Sequence, residues 1–287
     1  ISNANTSARN EGVNAYGGFA GFTYYFDDLW LQEAGTNRSM KTVPHRLRLA
    51  YRGEDFFGWQ RQDPDPTVQL ALEKAFLKIF RQPIAVAGSG RTDRGVHALG
   101  QVASCEIPPL HSPATLAKAL NFHLPAGVRV LSIHREKPGF HARFSAKGKS
   151  YLYRIANTDP LHPLEIGRAW HVPRPLDLPL LRQAAKILRG RHDFAAFTSN
   201  PGYQRKSTIR HIRSIRIVKK KNGILEITFA GDGFLYRMVR NLVGALVKVA
   251  QGRLTPTELK KILRSRSRST APGTAPAVGL YLLSVKY

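Results

Sequence analysis

The sequence predicts an α+β fold with a broad, largely antiparallel sheet. Strand-like alternation and helix-like periodicity interleave through both halves of the chain instead of segregating into blocks. A lysine run ending in Asn222-Gly223 separates two alternating segments, Ile212–Val218 and Ile224–Phe229. That is a hairpin signature, and hairpins make antiparallel neighbours. The third observation is bulk. A chain of 287 residues, 43% hydrophobic and 9% aromatic, suffices for one large domain or two modest ones sharing a core.

From Arg46 the chain alternates, with Leu47, Leu49 and Tyr51 on one face and Arg48 and Ala50 between them, as in a half-buried strand. Gly53-Glu54-Asp55 is a turn. Thr67 after Pro66 is a helix N-cap. Val68, Leu72, Ala75, Phe76 and Ile79 then share one face of a helix that reaches about Phe80 and is stopped by Pro83. A short apolar run enters a glycine-rich loop, Gly88–Gly95. Gln101–Ile107 reads as a strand, Thr115–Leu124 as a short helix and Val128–His134 as a strand. In Ser150–Ile155 the side chains of Tyr151, Tyr153 and Ile155 share one strand face. Leu178–Arg189 is helical and stopped by Gly190. After the hairpin and the Gly231-Asp232-Gly233 turn comes the longest expected helix, about Leu235–Ala250. Met238, Leu242, Ala245 and Val249 form its buried stripe, and Gly252 suits its C-terminal cap. Arg264–Thr270 alternates Arg and Ser and reads as a solvated loop or a short RNA-binding run. Leu280–Tyr287 is a closing strand. No residue-level repeat relates the two halves.

Charge narrows the function classes. The chain carries 44 Lys and Arg against 19 Asp and Glu, a formal net charge of +25. Residues 1–39 hold Arg9 and Arg38 against Glu11, Asp27, Asp28 and Glu33, a net −2, which leaves +27 on residues 40–287. Such a surface suits a polyanion, because every neutralised phosphate releases counterions and strengthens binding. An anionic membrane surface and a solvated basic face are the alternatives. Residues 1–39 read as an extension upstream of the domain, disordered or not native to it, with the domain starting at Met40. An accessory arm is the rival reading. The single cysteine, Cys105, excludes an internal disulfide framework and a cysteine-built zinc site, and its strand-like setting makes it a small core residue. The ten histidines show no metal-ligand spacing, and no apolar run is long enough to span a bilayer.

Local chemistry concentrates in Gly88-Ser-Gly-Arg-Thr-Asp93-Arg-Gly-Val-His97. Three glycines in eight residues give a loop with unusual backbone freedom, and Arg91 and Arg94 flank its one carboxylate. Asp93 could cap a turn toward Gly95. A phosphate loop is a second reading, weakened by the missing Lys-Ser/Thr and by the acid itself. A third is an ionised nucleophile or base among positive charges. Taken alone, the loop leaves these three open.

Several longer segments resemble the TruA family of tRNA pseudouridine synthases, almost end to end from Arg46. They are Tyr51-Arg-Gly-Glu-Asp-Phe-Phe-Gly-Trp-Gln-Arg-Gln62, Gly90-Arg-Thr-Asp-Arg-Gly-Val-His-Ala98 and Phe140-His-Ala-Arg-Phe-Ser-Ala146. Lys149-Ser-Tyr151-Leu-Tyr153, Phe234-Leu-Tyr-Arg-Met-Val-Arg-Asn241 and Thr274-Ala-Pro-Ala-Val-Gly-Leu-Tyr281 complete the set. The resemblance implies the pseudouridine synthase fold. Two ferredoxin-like halves, residues 40–147 with Asp93 and residues 148–287, would share the sheet, with helices packed on it and a central basic cleft. It implies isomerisation of uridine to pseudouridine at tRNA nucleotides 38 to 40 of the anticodon stem-loop, without cofactor or metal. The enzyme would be a cytoplasmic homodimer with tRNA bridging its subunits and no membrane association.

By the same resemblance Asp93 matches the essential aspartate, either attacking the sugar or acting there as a base. Tyr151 matches the active-site tyrosine that stacks on the base, and Arg240 the basic residue paired with the aspartate. A stacked uracil must be extruded to be reached. Arg91 fills the vacated space or holds a phosphate. Arg94 departs from the small residue common in the family and makes the loop more basic. His97, His141 and Arg143 are assigned to RNA binding, the last two at the cleft floor. Phe56, Phe57 and Trp59 are assigned to packing, with base stacking as the alternative. The rival functions are a non-catalytic tRNA-binding protein of the same fold and a hydrolytic nucleosidase.

Overall fold

The computed structural model describes residues 41–62, 64–199 and 207–287, so the expectation for residues 1–39 lies outside the described residues. The sheet is built from β1 (Val43–Tyr51), β2 (Ala87–Gly88), β3 (His97–Ile107), β4 (Val128–Arg135), β5 (Gly148–Ala156), β6 (Trp170–His171), β7 (Gly190–Asp193), β8 (Ile209–Lys219), β9 (Ile224–Gly231) and β10 (Leu280–Lys286). Its order is β4-β1-β3-β10-β5-β9-β8-β7, with β2 paired to β3 and β6 to β5. The β3–β10 and β5–β6 pairs are parallel. The rest are antiparallel. The broad, mostly antiparallel sheet expected from the sequence is present.

Position in the sheet matters more than membership. β10, at the C-terminal end, inserts in the middle, pairing Tyr281 with His97 of β3 and Leu282 with Tyr151 of β5. The loop that enters β3 and the strand carrying Tyr151 therefore flank one shared strand. Gly100 permits this, since a Cβ there would lie 2.5 Å from the Leu283 carbonyl oxygen. β3 accordingly starts at His97, four residues before the expected Gln101.

Five helices are seen among the described residues: α1 (Val68–Phe80), α2 (Pro113–His123), α3 (Leu178–Leu188), α4 (Met238–Ala250) and α5 (Pro256–Ser265). Thr67 caps α1 as expected, its side chain accepting from Leu70 N, and Val68, Leu72 and Phe76 are wholly buried. Fully burying such side chains contributes about 1.5–3 kcal/mol each. α1 ends through Arg81 in the left-handed conformation, two residues before Pro83. One apolar cluster joins α1 and α2 to β1, β3 and β4; another joins α3, α4 and α5 to β5, β8 and β9. Tyr151 packs against both. Cys105 is buried in β3, as expected.

Two expectations need correction. α4 begins at Met238, not Leu235, because Arg237 takes φ +57 and breaks the helical run; at 13 residues it equals α1 and is not longer. Arg264–Thr270 is not simply a solvated run. Its start belongs to α5, and Arg268 donates to the carbonyl oxygens of Ala271 and Pro272 at 3.0 Å.

Candidate active site

Every part of the Gly88–Gly95 loop is tied down. Ser89 N donates to Val102 O (2.7 Å), and Ser89 Oγ to Gln101 Oε1 (2.7 Å). Gln101 Nε2 donates to Gly90 O at 3.0 Å, while Thr92 Oγ1 meets Tyr51 Oη at 2.8 Å. Trp59 N donates to Thr92 O at 3.1 Å. The Asp93 carbonyl accepts from Val96 N at 3.1 Å, with Gly95 at φ +78, the positive φ that a turn's third position can demand. Backbone atoms thus close the turn. The Asp93 carboxylate is left for another use.

That use is an ion pair. Arg240 Nη1 lies 2.9 Å from Asp93 Oδ2, and Arg237 Nε 3.8 Å from the same oxygen. Arg240 is in turn held by its Nε, which donates to Ala275 O at 2.8 Å. Arg237 sits at a backbone φ that costs an L-residue about 1–2 kcal/mol, one helical turn before Arg240. The sequence pointed to Arg240 and not to Arg237, although the i, i+3 spacing of the two arginines is a usable signal.

Asp93 opens onto a cleft of about 880 Å³ lined also by Arg91, His141, Arg143, Lys149 and Tyr151. Arg240 does not line it and braces Asp93 from behind. Tyr151 meets Phe234 edge to face at 5.2 Å. Burial, then the nearby Tyr51 and Asp93, pushes its phenol above the ordinary value, so it stays protonated at neutral pH. Arg91 is exposed, its Nε donating to Gln60 Oε1 at 3.1 Å. Gln60, Phe144, Lys149, Phe234 and Arg237 also line the cleft, and the sequence did not mark them as site residues.

His97 and Arg94 depart from expectation. His97, expected on the RNA-binding surface, is buried, stacked on Tyr281 at 4.5 Å, with its Nδ1 accepting from Gly53 N. The early start of β3 turns it into the sheet. Arg94 stays exposed but off the cleft lining, its guanidinium 3.9 Å over the Phe57 ring. Phe56 and Trp59 are core residues, as expected.

The close approach of Gly58 to the loop can be tested. Gly58 has φ +95, and a Cβ there would lie 2.5 Å from the Thr92 carbonyl oxygen. Gly58→Ala must therefore push the Asp93 loop outward. We expect a loss of about 1–3 kcal/mol in urea unfolding and about tenfold or more in single-turnover rate. Unchanged values for both would contradict the close approach.

Lys149 Nζ donates to Ser89 O at 2.6 Å, and burial, then Arg143, pushes its ammonium down to about 8 from the ordinary 10.5. Between those values the unfolded chain holds more protons than the folded one, so folded stability gains as pH rises from 8 to 10.5. Wild-type stability relative to Lys149→Met should climb across that window and stay flat below it. A falling difference in pH-resolved unfolding would contradict the assignment.

Among the described residues, no cluster of three or more His, Cys, Asp or Glu could hold a metal ion. No helix among them is long and apolar enough to cross a membrane.

Fold and site together define an enzyme that presents one ion-paired carboxylate in a basic cleft on a broad α+β sheet. The chain matches the family profile described as tRNA pseudouridine synthase over residues 49–145 and 184–287. It is 47% identical over 249 residues to tRNA pseudouridine synthase A of Methylacidiphilum infernorum, covering 87% of this chain and 97% of that protein. Against the protein of the same name from Rhodospirillum rubrum the figures are 42% over 246 residues, 85% and 88%. For that from Limosilactobacillus fermentum they are 38% over 247 residues, 85% and 95%. A crystal structure of a Cbf5-Nop10-Gar1 complex aligns with TM-score 0.30 and 10% identity over 83% of this chain and 56% of that one, a likeness too slight to bear on the fold. The chain belongs to the tRNA pseudouridine synthase family, a family of isomerases.

Proposed function

We propose that this protein isomerises uridine to pseudouridine in tRNA, at nucleotides 38 to 40 of the anticodon stem-loop, with Asp93 as its nucleophile. The observation that carries the reading is the Asp93 carboxylate, 2.9 Å from Arg240, opening onto the cleft that Tyr151 also lines. In the reaction the Asp93 carboxylate bonds to C1′ as the bond from C1′ to N1 breaks, and the uracil anion turns. A bond from C5 to C1′ then forms as the carboxylate leaves, and C5 loses a proton while N1 takes one up. Mass is unchanged. Asp93 covers the electron-poor sugar carbon while the base is detached, and the arginines behind it fix its position.

Tyr151 stacks on the turning base as a neutral phenol. Arg91, exposed at the cleft, takes the space the uridine vacates or holds a phosphate. His141 and Arg143 contact RNA at the cleft floor. Arg94, resting on Phe57, adds charge beside the loop without facing the base. Residues 40–147 and 148–287 act as two halves with the cleft between them. A cytoplasmic homodimer, with tRNA spanning both subunits, accounts for the +27 on residues 40–287. The reaction runs without metal or cofactor.

The test is carbodiimide-dependent primer extension on tRNA incubated with the protein. New stops at nucleotides 38 to 40 are expected. Stops elsewhere would overturn the choice of position. Binding without stops on any tRNA would favour the non-catalytic binder.

A further inference from the structure

We infer that Phe144 is a base-stacking platform at the cleft, taking a nucleobase of the bound RNA other than the target uracil. The inference rests on the tRNA reading above. Phe144 is 77% exposed yet lines the same cleft as Asp93. Exposed apolar side chains are common and mean little alone. What singles out Phe144 is its support. Residues 141 to 145 form a turn bonded to itself: Ser145 N donates to His141 O at 2.9 Å, His141 N to Ser145 Oγ at 3.1 Å, and Arg143 N to His141 Nδ1 at 3.1 Å. Ala142, wholly buried, pins that turn to the sheet. Its N donates to Ser104 Oγ at 3.0 Å, and its O accepts from Tyr287 Oη at 2.8 Å.

A phenyl ring that takes no part in the core is thus held in water on a rigid mount. The His141 ring backs it at 4.4 Å, and the exposed Arg143 guanidinium lies 5.7 Å from its centroid. An aromatic face beside a guanidinium is the arrangement that binds unstacked bases, the cation taking a phosphate and the ring taking the base. By contrast Phe122 is 84% exposed but stands on α2 and does not line the cleft. Pre-ordering the turn lowers the entropy cost of placing the ring on binding.

The test measures tRNA-transcript affinity and pseudouridine yield for wild type, Phe144→Ala, Phe144→Leu, Phe144→Trp and Arg143→Ala. Phe144→Ala should weaken affinity about 5- to 150-fold, the range for losing one stacked base. Phe144→Leu, which keeps apolar bulk but has no π face, should lose as much, and Phe144→Trp should bind as wild type does. The slope of log affinity against log salt should be unchanged in Phe144→Ala and shallower by about one in Arg143→Ala. Melting temperatures should match, since the ring is exposed. Phe144→Leu binding like wild type, or a shallower salt slope in Phe144→Ala, overturns the stacking role. Wild-type protein that binds the transcript without forming pseudouridine overturns the isomerase reading alone, and failure to bind overturns both.

Discussion

Asp93→Asn is expected to reduce pseudouridine formation by more than about 10⁴-fold, the scale of losing a nucleophile. The substitution keeps the shape of the side chain, so the loop held by Gln101, Tyr51 and Trp59 stays in place. What it removes is the anion facing Arg240 and Arg237. Both arginines then stand uncompensated beside the cleft, and affinity for a polyanion should hold or rise slightly. Activity and binding should therefore separate, which a collapsed fold would not allow. Filter binding and pseudouridine yield on the same tRNA preparation read both. A variant that still converts uridine at the wild-type rate removes Asp93 from the mechanism.

Arg240→Leu is expected to be the most damaging change among the supporting residues. The Arg240 and Asp93 side chains are 14% and 20% exposed, so their pairing is only partly open to water. Deleting Arg240 leaves the carboxylate only the longer, more exposed Arg237 contact at 3.8 Å and leaves Ala275 O without the Arg240 donor. The cost should be about 2–4 kcal/mol, below the value for full burial. Turnover should fall about 10²- to 10³-fold, since Asp93 loses the contact that aims it. Arg240→Lys keeps the charge but cannot bond Asp93 and Ala275 together through one planar group, so it should recover stability more than activity. If Asp93→Asn and Arg240→Leu act through one pair, the double variant should be little worse than the poorer single one. Strict additivity in urea unfolding and in rate would contradict that coupling.

Local signals were legible in the sequence, and long-range ones were not. Thr67, the Asn222-Gly223 hairpin and the alternation of Leu47, Leu49 and Tyr51 each act within a few residues, and each element stands where it was expected. α5 was missed, although its signal is local. Thr255-Pro256-Thr257-Glu258 is a capping box with proline at the first turn, and its cap is formed. The position of β10 was not readable, because pairing between residues nearly two hundred apart leaves no local pattern. His97 was misassigned for the same reason, since its burial depends on Tyr281 arriving beside it. At the site, the loop alone could not choose between a turn and a nucleophile. The resemblance pointed to Asp93 and Arg240, which the fold sets 2.9 Å apart across 147 residues of chain. Arg237, Lys149 and Phe144 lay inside the same motifs, but only three-dimensional placement gives them a surface to face.

The central claim, that the Asp93–Arg240 pair serves an isomerase, is tested most directly by the nucleosides released from tRNA after incubation with the wild-type protein. Complete digestion and chromatography should show pseudouridine appearing at the expense of uridine, mole for mole, with no uracil in the supernatant and no pseudouridine formed by Asp93→Asn. Free uracil accumulating in place of pseudouridine would contradict the claim, because the same carboxylate would then cleave the glycosidic bond without rejoining it.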